Sequence, residues 1–300
     1  MKHKLSGFVA ILMALLACAP DLSADSAIPG RLVAMGDLHG DLNATRRALQ
    51  LAGAMDTANQ WIGGNLQLVQ TGDQLNRGDG EREILDLLAN LAQQAERAGG
   101  KVHVLNVNHE IMNAQGDLRY VTPEGFRRFN DLPGLDLSQP TLAELPAFAR
   151  ACAAAFLPGG PYARRLAERP LILQLGENVF VHGGVLPEHV AYGIERLNRE
   201  TQVWLAGQGP FPLLLNDQNS PIWTRVYSQP NQPVDCERLA RTLEALKARR
   251  MIVGYTVQTD INSACEGQLW RIDTGMAAAY GGKVQVLEIT PEQVRVLKAG

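Results

Sequence analysis

The sequence RLVAMGDLHGD, residues 31–41, joins a short apolar run to a polar motif, and this pairing is the pattern from which the fold can be predicted. The arrangement recurs where residues 66–71 run into GDQLNRG (72–78) and where residues 102–107 run into NHE (108–110). Between these segments, apolar residues at helical spacing predict two helices, the first capped by Asp41. Strands that alternate with helices predict a βαβαβ unit with a parallel sheet, which collects ligands at the carboxyl ends of its strands.

The second half of the chain has a different pattern. Residues 117–170 are rich in Pro, Gly, Ala and Arg and predict a helical insert that covers the site. Residues 171–181 predict a hairpin that ends at HGG, residues 182–184. Further strands at 251–253, 269–272, 283–289 and 293–297 predict a second, largely antiparallel sheet. The expected fold class is α/β, with two stacked mixed β-sheets flanked by helices.

The N-terminus predicts a targeting segment over residues 1–27. Basic residues at 2–4 precede an apolar run at 8–19, which is short for a membrane-spanning helix. Residues 15–18 are similar to a bacterial lipobox, in which Cys18 would be lipidated. The alternative is cleavage after Ala24 or Ala27. Both alternatives predict export to the bacterial periplasm, with membrane contact only through a lipid anchor at Cys18.

Composition and charge fit one catalytic domain over residues 28–300. The chain has 300 residues and a net charge of -3, which gives no reason to expect a nucleic-acid partner. No CxxC pair is present, so a zinc knuckle is not expected. Cys236 and Cys265 could pair in an oxidising compartment and leave Cys152 as a buried thiol. The alternative is that all three are buried thiols.

The polar motifs contain the groups that a two-metal phosphoesterase requires. Such a site needs a bridging carboxylate, imidazole and oxygen ligands around each ion, and open positions for water and phosphate. In their order along the chain, GDLHGD, GDQLNRG, NHE and HGG resemble the calcineurin-like metallophosphoesterases, in the phosphoprotein-phosphatase branch. The segments at 223–225 and 271–275 are most similar to bacterial Shewanella-like phosphatases. The resemblance covers about residues 31–290.

The resemblance implies two divalent ions, Mn, Fe or Zn, and a phosphorylated substrate. Asp73 would bridge the ions, as a ligand shared by both sets. The first set is Asp37, His39 and Asp73, and the second is Asp73, Asn108 and His182, with Tyr255 at the position of a further ligand.

The resemblance also assigns catalytic roles. His109 would protonate the leaving oxygen, and Arg77 and Arg225 would hold the phosphoryl oxygens with their guanidinium groups. The implied reaction is hydrolysis of phosphomonoesters, on phosphoproteins or small exported substrates, by hydroxide bound between the two ions.

Three residues depart from the family pattern. Asn76 replaces the Asp that orients the general acid, so we expect a lower pKa for His109. Val107 replaces a Gly and is strained only if the backbone there is left-handed. Tyr255 replaces a ligand His, so either its phenol binds the second ion or water takes that position. These changes leave open a second function, a pseudophosphatase that binds phosphate or phosphopeptides.

Overall fold

The computed structural model describes residues 30–230 and 232–299. The predicted targeting segment at 1–27, including Cys18, therefore lies outside the described residues. Among the helices within the described ranges, none has the length and apolar character needed to cross a bilayer.

Residues 30–230 and 232–299 form ten strands and ten α-helices. The strands are β1 (Leu32–Met35), β2 (Gln67–Gln70), β3 (Lys101–Val104), β4 (Leu173–Leu175), β5 (Asn178–Val181), β6 (Arg250–Val253), β7 (Asn262–Ala264), β8 (Leu269–Arg271), β9 (Gln285–Ile289) and β10 (Val294–Lys298). The helices are α1 (Leu42–Leu51), α2 (Glu81–Arg97), α3 (Asn108–Ala114), α4 (Pro123–Arg127), α5 (Pro140–Ala143), α6 (Arg150–Phe156), α7 (Pro161–Leu166), α8 (Pro187–Tyr192), α9 (Ile194–Leu205) and α10 (Cys236–Ala245).

The first sheet has the order β10-β9-β1-β2-β3. Its strands β1, β2 and β3 are parallel, with Leu32 opposite Gln67 and Gln67 opposite Lys101. Asp41 caps α1 by accepting a hydrogen bond from the Ala44 amide at 2.8 Å. The predicted βαβαβ unit is confirmed, and its three polar motifs follow the carboxyl ends of adjacent strands.

Two apolar cores lie on the two faces of the first sheet. Leu32 and Ala34 belong to a core shared with β5 and β6 of the second sheet. Val33 and Met35 belong to a core shared with α1 and α2. Because successive side chains of a strand point to opposite faces, the uninterrupted apolar run of β1 serves both cores.

The second sheet has the order β4-β5-β6-β8-β7, and the prediction for it was wrong in two respects. Its central strands β5, β6 and β8 are parallel, so the sheet is mixed rather than largely antiparallel. In addition, β9 and β10 belong to the first sheet, where β9 pairs antiparallel with β1. An apolar pattern indicates that a strand is buried but does not identify its neighbour. The overall prediction of two mixed sheets flanked by helices is confirmed.

The buried apolar side chains of the helical insert belong to the core, whereas the sequence predicted a cover for the site. Phe129, Phe156 and Tyr162 are buried against one another, with ring centroids 5.1–5.5 Å apart. Of the insert, Asp117, Arg119 and Tyr120 line the cavity above the strand ends. The other buried apolar residues of the insert share one core with residues of the second sheet and of α3.

A disulfide joins Cys236, at the start of α10, to Cys265, between β7 and β8. Cys152 is a buried free thiol on α6. Of the two alternatives that the sequence left open, the structure therefore has the pairing of Cys236 with Cys265. The bond closes a loop between residues 29 apart in sequence, which restricts the unfolded chain.

Replacing both Cys236 and Cys265 with Ser should lower the free energy of unfolding by about 3 kcal/mol, because the unfolded chain regains loop entropy. Urea denaturation followed by circular dichroism would measure the change. Reductant should destabilise the wild type by a similar amount and leave the double variant unchanged. An equal response of both proteins to reductant would contradict the prediction.

Candidate metal and phosphate site

The predicted ligand residues converge on Asp73. One of its carboxylate oxygens lies 3.4 Å from Nε2 of His39 and 3.4 Å from Nε2 of His182. Nδ1 of His182 is 3.8 Å from the Asp37 carboxylate. All four side chains are almost completely buried, as is Asn108. The strand ends of both sheets therefore contribute to one polar cluster between them.

Close packing of the backbone brings the first two motifs together. The amides of Leu38 and His39 both donate to the carbonyl of Asp73, at 3.0 and 2.8 Å. A Cβ on Gly40 would lie 2.6 Å from the backbone of Gly78. Only glycine permits such an approach between the two loops.

Several site residues have left-handed backbones that side chains seldom adopt. The φ angles are 42° at His39, 53° at Asp73, 69° at Asn76 and 68° at Tyr255. Conformations of this kind cost free energy and persist where the surrounding structure enforces them. Their clustering around one carboxylate marks this region as a functional site.

The residues fit metal ions. The part of the chain that the structure describes has two groups of side chains whose ligand atoms lie, within each group, no more than 4.8 Å apart: His39, Asp73 and His109, and Asp37, Asp73 and His182. Asp73 is common to both groups, as expected of a bridging ligand. Within the described residues, Oδ1 of Asn108 and Nε2 of His182 are buried and have no hydrogen-bond partner. Buried polar atoms normally have partners, and a cation would supply one for each.

The protonation states also suit metal binding. Burial lowers the pKa of His39 to about 4, so its imidazole is neutral and able to ligate at neutral pH. Burial and the nearby carboxyl groups of Asp273 and Asp73 raise the pKa of Asp37 well above its usual range. At Asp73, burial favours the neutral form, but His109, His182 and His39 outweigh it and lower the pKa. Crowded buried carboxyl groups of this kind are stabilised in their charged form by cations.

The grouping differs from the ligand sets that the resemblance implies. The structure places Asp37 beside His182 and His39 beside His109, whereas the implied first set joins Asp37 and His39. The assignment of each ligand to a particular ion stays a prediction.

His109 contacts the predicted orienting residue. Its Nδ1 lies 2.7 Å from the side-chain amide of Asn76, which is also 3.2 Å from the Asn113 amide. Nδ2 of Asn76 faces His109 Nδ1 and donates to Oδ1 of Asn113, while Oδ1 of Asn76 and Nδ2 of Asn113 are buried with no partner among the described residues. Rotating both amides by 180° would let Oδ1 of Asn76 accept hydrogen bonds from His109 Nδ1 and Asn113 Nδ2 instead. Burial lowers the pKa of His109, and Asn76 supplies no charge to oppose that effect. Nε2 of His109 is then free to face the cavity.

Val107 is unstrained. Its φ of -146° and ψ of -161° describe an extended backbone that any residue adopts. A Cβ on Gly72 would lie 2.3 Å from the Val107 side chain, so Val107 fills the space that Gly72 leaves. Glu110 ties this turn to the neighbouring motif by accepting hydrogen bonds from the amides of Asp73, Gln74 and Val107.

A cavity of about 730 Å³ lies above the cluster. Both predicted phosphate-binding residues line it: Arg77 follows β2, and Arg225 belongs to the segment after α9. Tyr120 and Tyr280 flank Arg77, with ring centroids 4.4 and 5.4 Å from its guanidinium carbon. The sequence did not predict these two tyrosines or the polar wall formed by Asn216, Gln218 and Asn219.

Tyr255 contacts the site through its backbone and its ring. Its amide donates to Asp37 at 3.2 Å, and its ring centroid is 4.9 Å from that of His182. Burial raises the pKa of its phenol, which opposes ligation as a phenolate. The two alternatives for this position of the second ion, ligation by the Tyr255 phenol or by water, both stay predictions.

A two-sheet α/β sandwich with carboxylates and imidazoles gathered at its strand ends defines a metallophosphoesterase class of protein. The chain belongs to the calcineurin-like phosphoesterase family, whose model matches residues 30–254. The predicted family is therefore confirmed.

Individual relatives agree with this assignment. Shewanella-like protein phosphatase 2 of Arabidopsis thaliana is 40% identical over 294 residues, covering 87% of this chain and 75% of that protein. Shewanella-like protein phosphatase 1 of Plasmodium berghei (strain Anka) is 27% identical over 260 residues, covering 83% of this chain and 67% of that protein. The solved structure of a cold-active protein-tyrosine phosphatase of a psychrophile Shewanella sp. shares the fold. Its TM-score is 0.68 at 23% identity, covering 90% of this chain and 80% of that chain.

Asn76→Asp should raise the pKa of His109, because a carboxylate beside Nδ1 stabilises the imidazolium. A general acid is active while protonated, so the high-pH limb of the kcat profile should move to higher pH. The profile with a chromogenic phosphomonoester would measure the shift. Asn130→Asp, on the exposed surface, is the control. Coincident profiles for wild type and Asn76→Asp would contradict this role of Asn76.

Gly254→Ala should weaken metal retention by about tenfold or more, because small displacements of ligands lower metal affinity. The added Cβ would lie 2.7 Å from the Asp37 carboxylate and 3.3 Å from Nδ1 of His182. Elemental analysis after dialysis would measure retained metal. Gly30→Ala is the control, since a Cβ there meets nothing within 4 Å. Full metal content in Gly254→Ala would show that these side chains do not hold the ions.

Proposed function

We propose that this chain is a metal-dependent phosphomonoesterase that uses two divalent ions to hydrolyse phosphoproteins. The observation that supports this most strongly is the position of Asp73, with imidazoles from both sheets 3.4 Å from one carboxylate oxygen. A shared carboxylate between two groups of ligand atoms is the arrangement that a two-metal centre requires.

The side chains that line the cavity have different roles in the proposed reaction. When bound, the two ions acidify water and offset negative charge on the phosphoryl group. Arg77 and Arg225 hold the phosphoryl oxygens, because a guanidinium matches their geometry and stabilises charge that develops on them. His109 donates a proton from Nε2 to the leaving oxygen, while Asn76 holds Nδ1 and fixes the ring.

The cavity favours an aryl phosphate as the substrate group. Tyr120, Trp223 and Tyr280 line it and offer ring faces and edges to an aromatic leaving group. Phosphoprotein substrates are also supported by the names of the relatives, which are protein phosphatases. We therefore infer that phosphotyrosine is a better substrate than phosphoserine.

We place the protein in the bacterial periplasm. The Cys236–Cys265 disulfide supports this proposal, because such bonds persist in oxidising compartments and are rare in the cytosol.

Metal reconstitution tests the function. Protein stripped by a chelator should be inactive and should recover turnover of p-nitrophenyl phosphate with at least one of Mn, Fe, Co or Zn. Asp73→Asn should lose about 1,000-fold or more in kcat, because both ion sites lose their shared charge. Asp131→Asn is the matched control, since its side chain is 76% exposed on the surface.

A substrate panel completes the test. Phosphotyrosine peptides should be hydrolysed faster than phosphoserine peptides of the same sequence. If no metal restores turnover and the protein still binds phosphate, the pseudophosphatase function replaces the enzyme.

A further inference from the structure

Arg225 stacks on the ring of Tyr255. Its guanidinium carbon lies 3.7 Å from the ring centroid, within the range of a cation–π contact. Nη1 of Arg225 also donates to the Tyr255 carbonyl at 3.2 Å and to Oγ1 of Thr256 at 2.8 Å. Oγ1 of Thr256 is in turn 2.7 Å from Oγ of Ser228. The guanidinium is therefore held on one face and along one edge.

Tyr255 is itself fixed by the metal cluster. Its amide donates to Asp37, and its ring lies beside that of His182, at 4.9 Å between centroids. Trp223 lies edge-on to the same ring at 6.1 Å. The Tyr255 ring thus contacts a predicted metal ligand and the arginine that lines the cavity.

The stack restrains the Arg225 side chain and leaves its positive charge without a carboxylate partner in the part of the chain that the structure describes. Within the described residues, Arg225 has no ion pair with Asp or Glu at 4.0 Å or less. A carboxylate partner would hold the guanidinium equally well but would compete with phosphate for its charge. Arg77 shows the same arrangement, because its guanidinium lies over the ring of Tyr120 at 4.4 Å.

We propose that Tyr255 is a positioning residue that holds the Arg225 guanidinium, through ring stacking, in the orientation that binds the phosphoryl group. The inference rests on the proposed phosphomonoesterase function and names the means by which that site recognises phosphate. It also accounts for a tyrosine at a position where the family resemblance implies histidine: the aromatic ring stabilises the phosphate-binding arginine.

Direct titration of the metal-loaded protein with inorganic phosphate tests the proposal. Tyr255→Leu and Tyr255→Asn both remove the ring, and Asn also tolerates the left-handed backbone at this position. Each should weaken phosphate binding by about three- to tenfold, the range expected for loss of a partly buried cation–π contact. Tyr255→Phe keeps the ring and should restore phosphate affinity to within about twofold of wild type.

A double-mutant cycle separates positioning from general structural damage. In an Arg225→Ala background, removing the Tyr255 ring should change phosphate affinity no further, because the stacking partner is absent. Tyr192→Leu is the matched control, since it removes a comparable stack on Arg196, at 4.4 Å, outside the cavity. It should leave phosphate affinity unchanged.

The outcomes distinguish this inference from the proposed function. Turnover by wild type, with unchanged phosphate affinity in both ring-removal variants, would overturn the inference alone. Phosphate binding that depends on the Tyr255 ring, in a protein without turnover, would overturn the enzyme function and support the inference. Loss of a metal ion in Tyr255→Phe, or an absence of phosphate binding in wild type, would overturn the role of the ring.

Discussion

The Asp73 carboxylate is the group on which the rest of the site depends. It is buried, charged and surrounded by the imidazoles of His39, His109 and His182. Imidazoles offset only part of the cost of burying a carboxylate, and cations bound at shared ligands would offset more of it. The fold must therefore bring the ends of several strands to one point with little freedom.

Backbone geometry provides this convergence. The Asp73 carbonyl accepts hydrogen bonds from Leu38 and His39, while its amide donates to Glu110. Asp73 contacts these three partners with a left-handed φ of 53°. Local strain in the GDQLNRG loop is therefore a consequence of joining the first and third motifs to the second.

The sequence predicted the parallel strands β1, β2 and β3 from local pattern, and it predicted the ligand residues from the polar motifs at strand ends together with the family resemblance. Apolar runs that end in Asp37, Asp73 and Asn108 specify adjacent parallel strands, and such strands end at one edge. The placement of β9 beside β1 was not predictable in this way, since pairing depends on which edge of the sheet is open. The prediction that the insert covers the site failed for a related reason: helices with an apolar face can pack into a core or over a site equally well.

The cavity wall also escaped prediction, because loops without periodicity form it. Tyr280 contacts Arg77 from a loop that is held by hydrogen bonds on both sides of Tyr280. The Ala278 amide donates to Asp41, and the Gly282 amide donates to the Gly275 carbonyl. Neither contact has a signature in the sequence, since each joins a loop residue to a group remote from any strand pattern.

The three departures from the family pattern differ in their physical meaning. Val107 is extended and fills space beside Gly72, so it changes packing and leaves the ligands in place. Asn76 occupies a left-handed position that asparagine tolerates, and it removes a charge behind His109. Tyr255 is the costly substitution, because an aromatic residue with φ near 68° is strained by roughly 1 kcal/mol or more. Its ring contacts both His182 and Arg225, and so it connects the cluster around Asp73 to the part of the cavity wall that Arg225 lines.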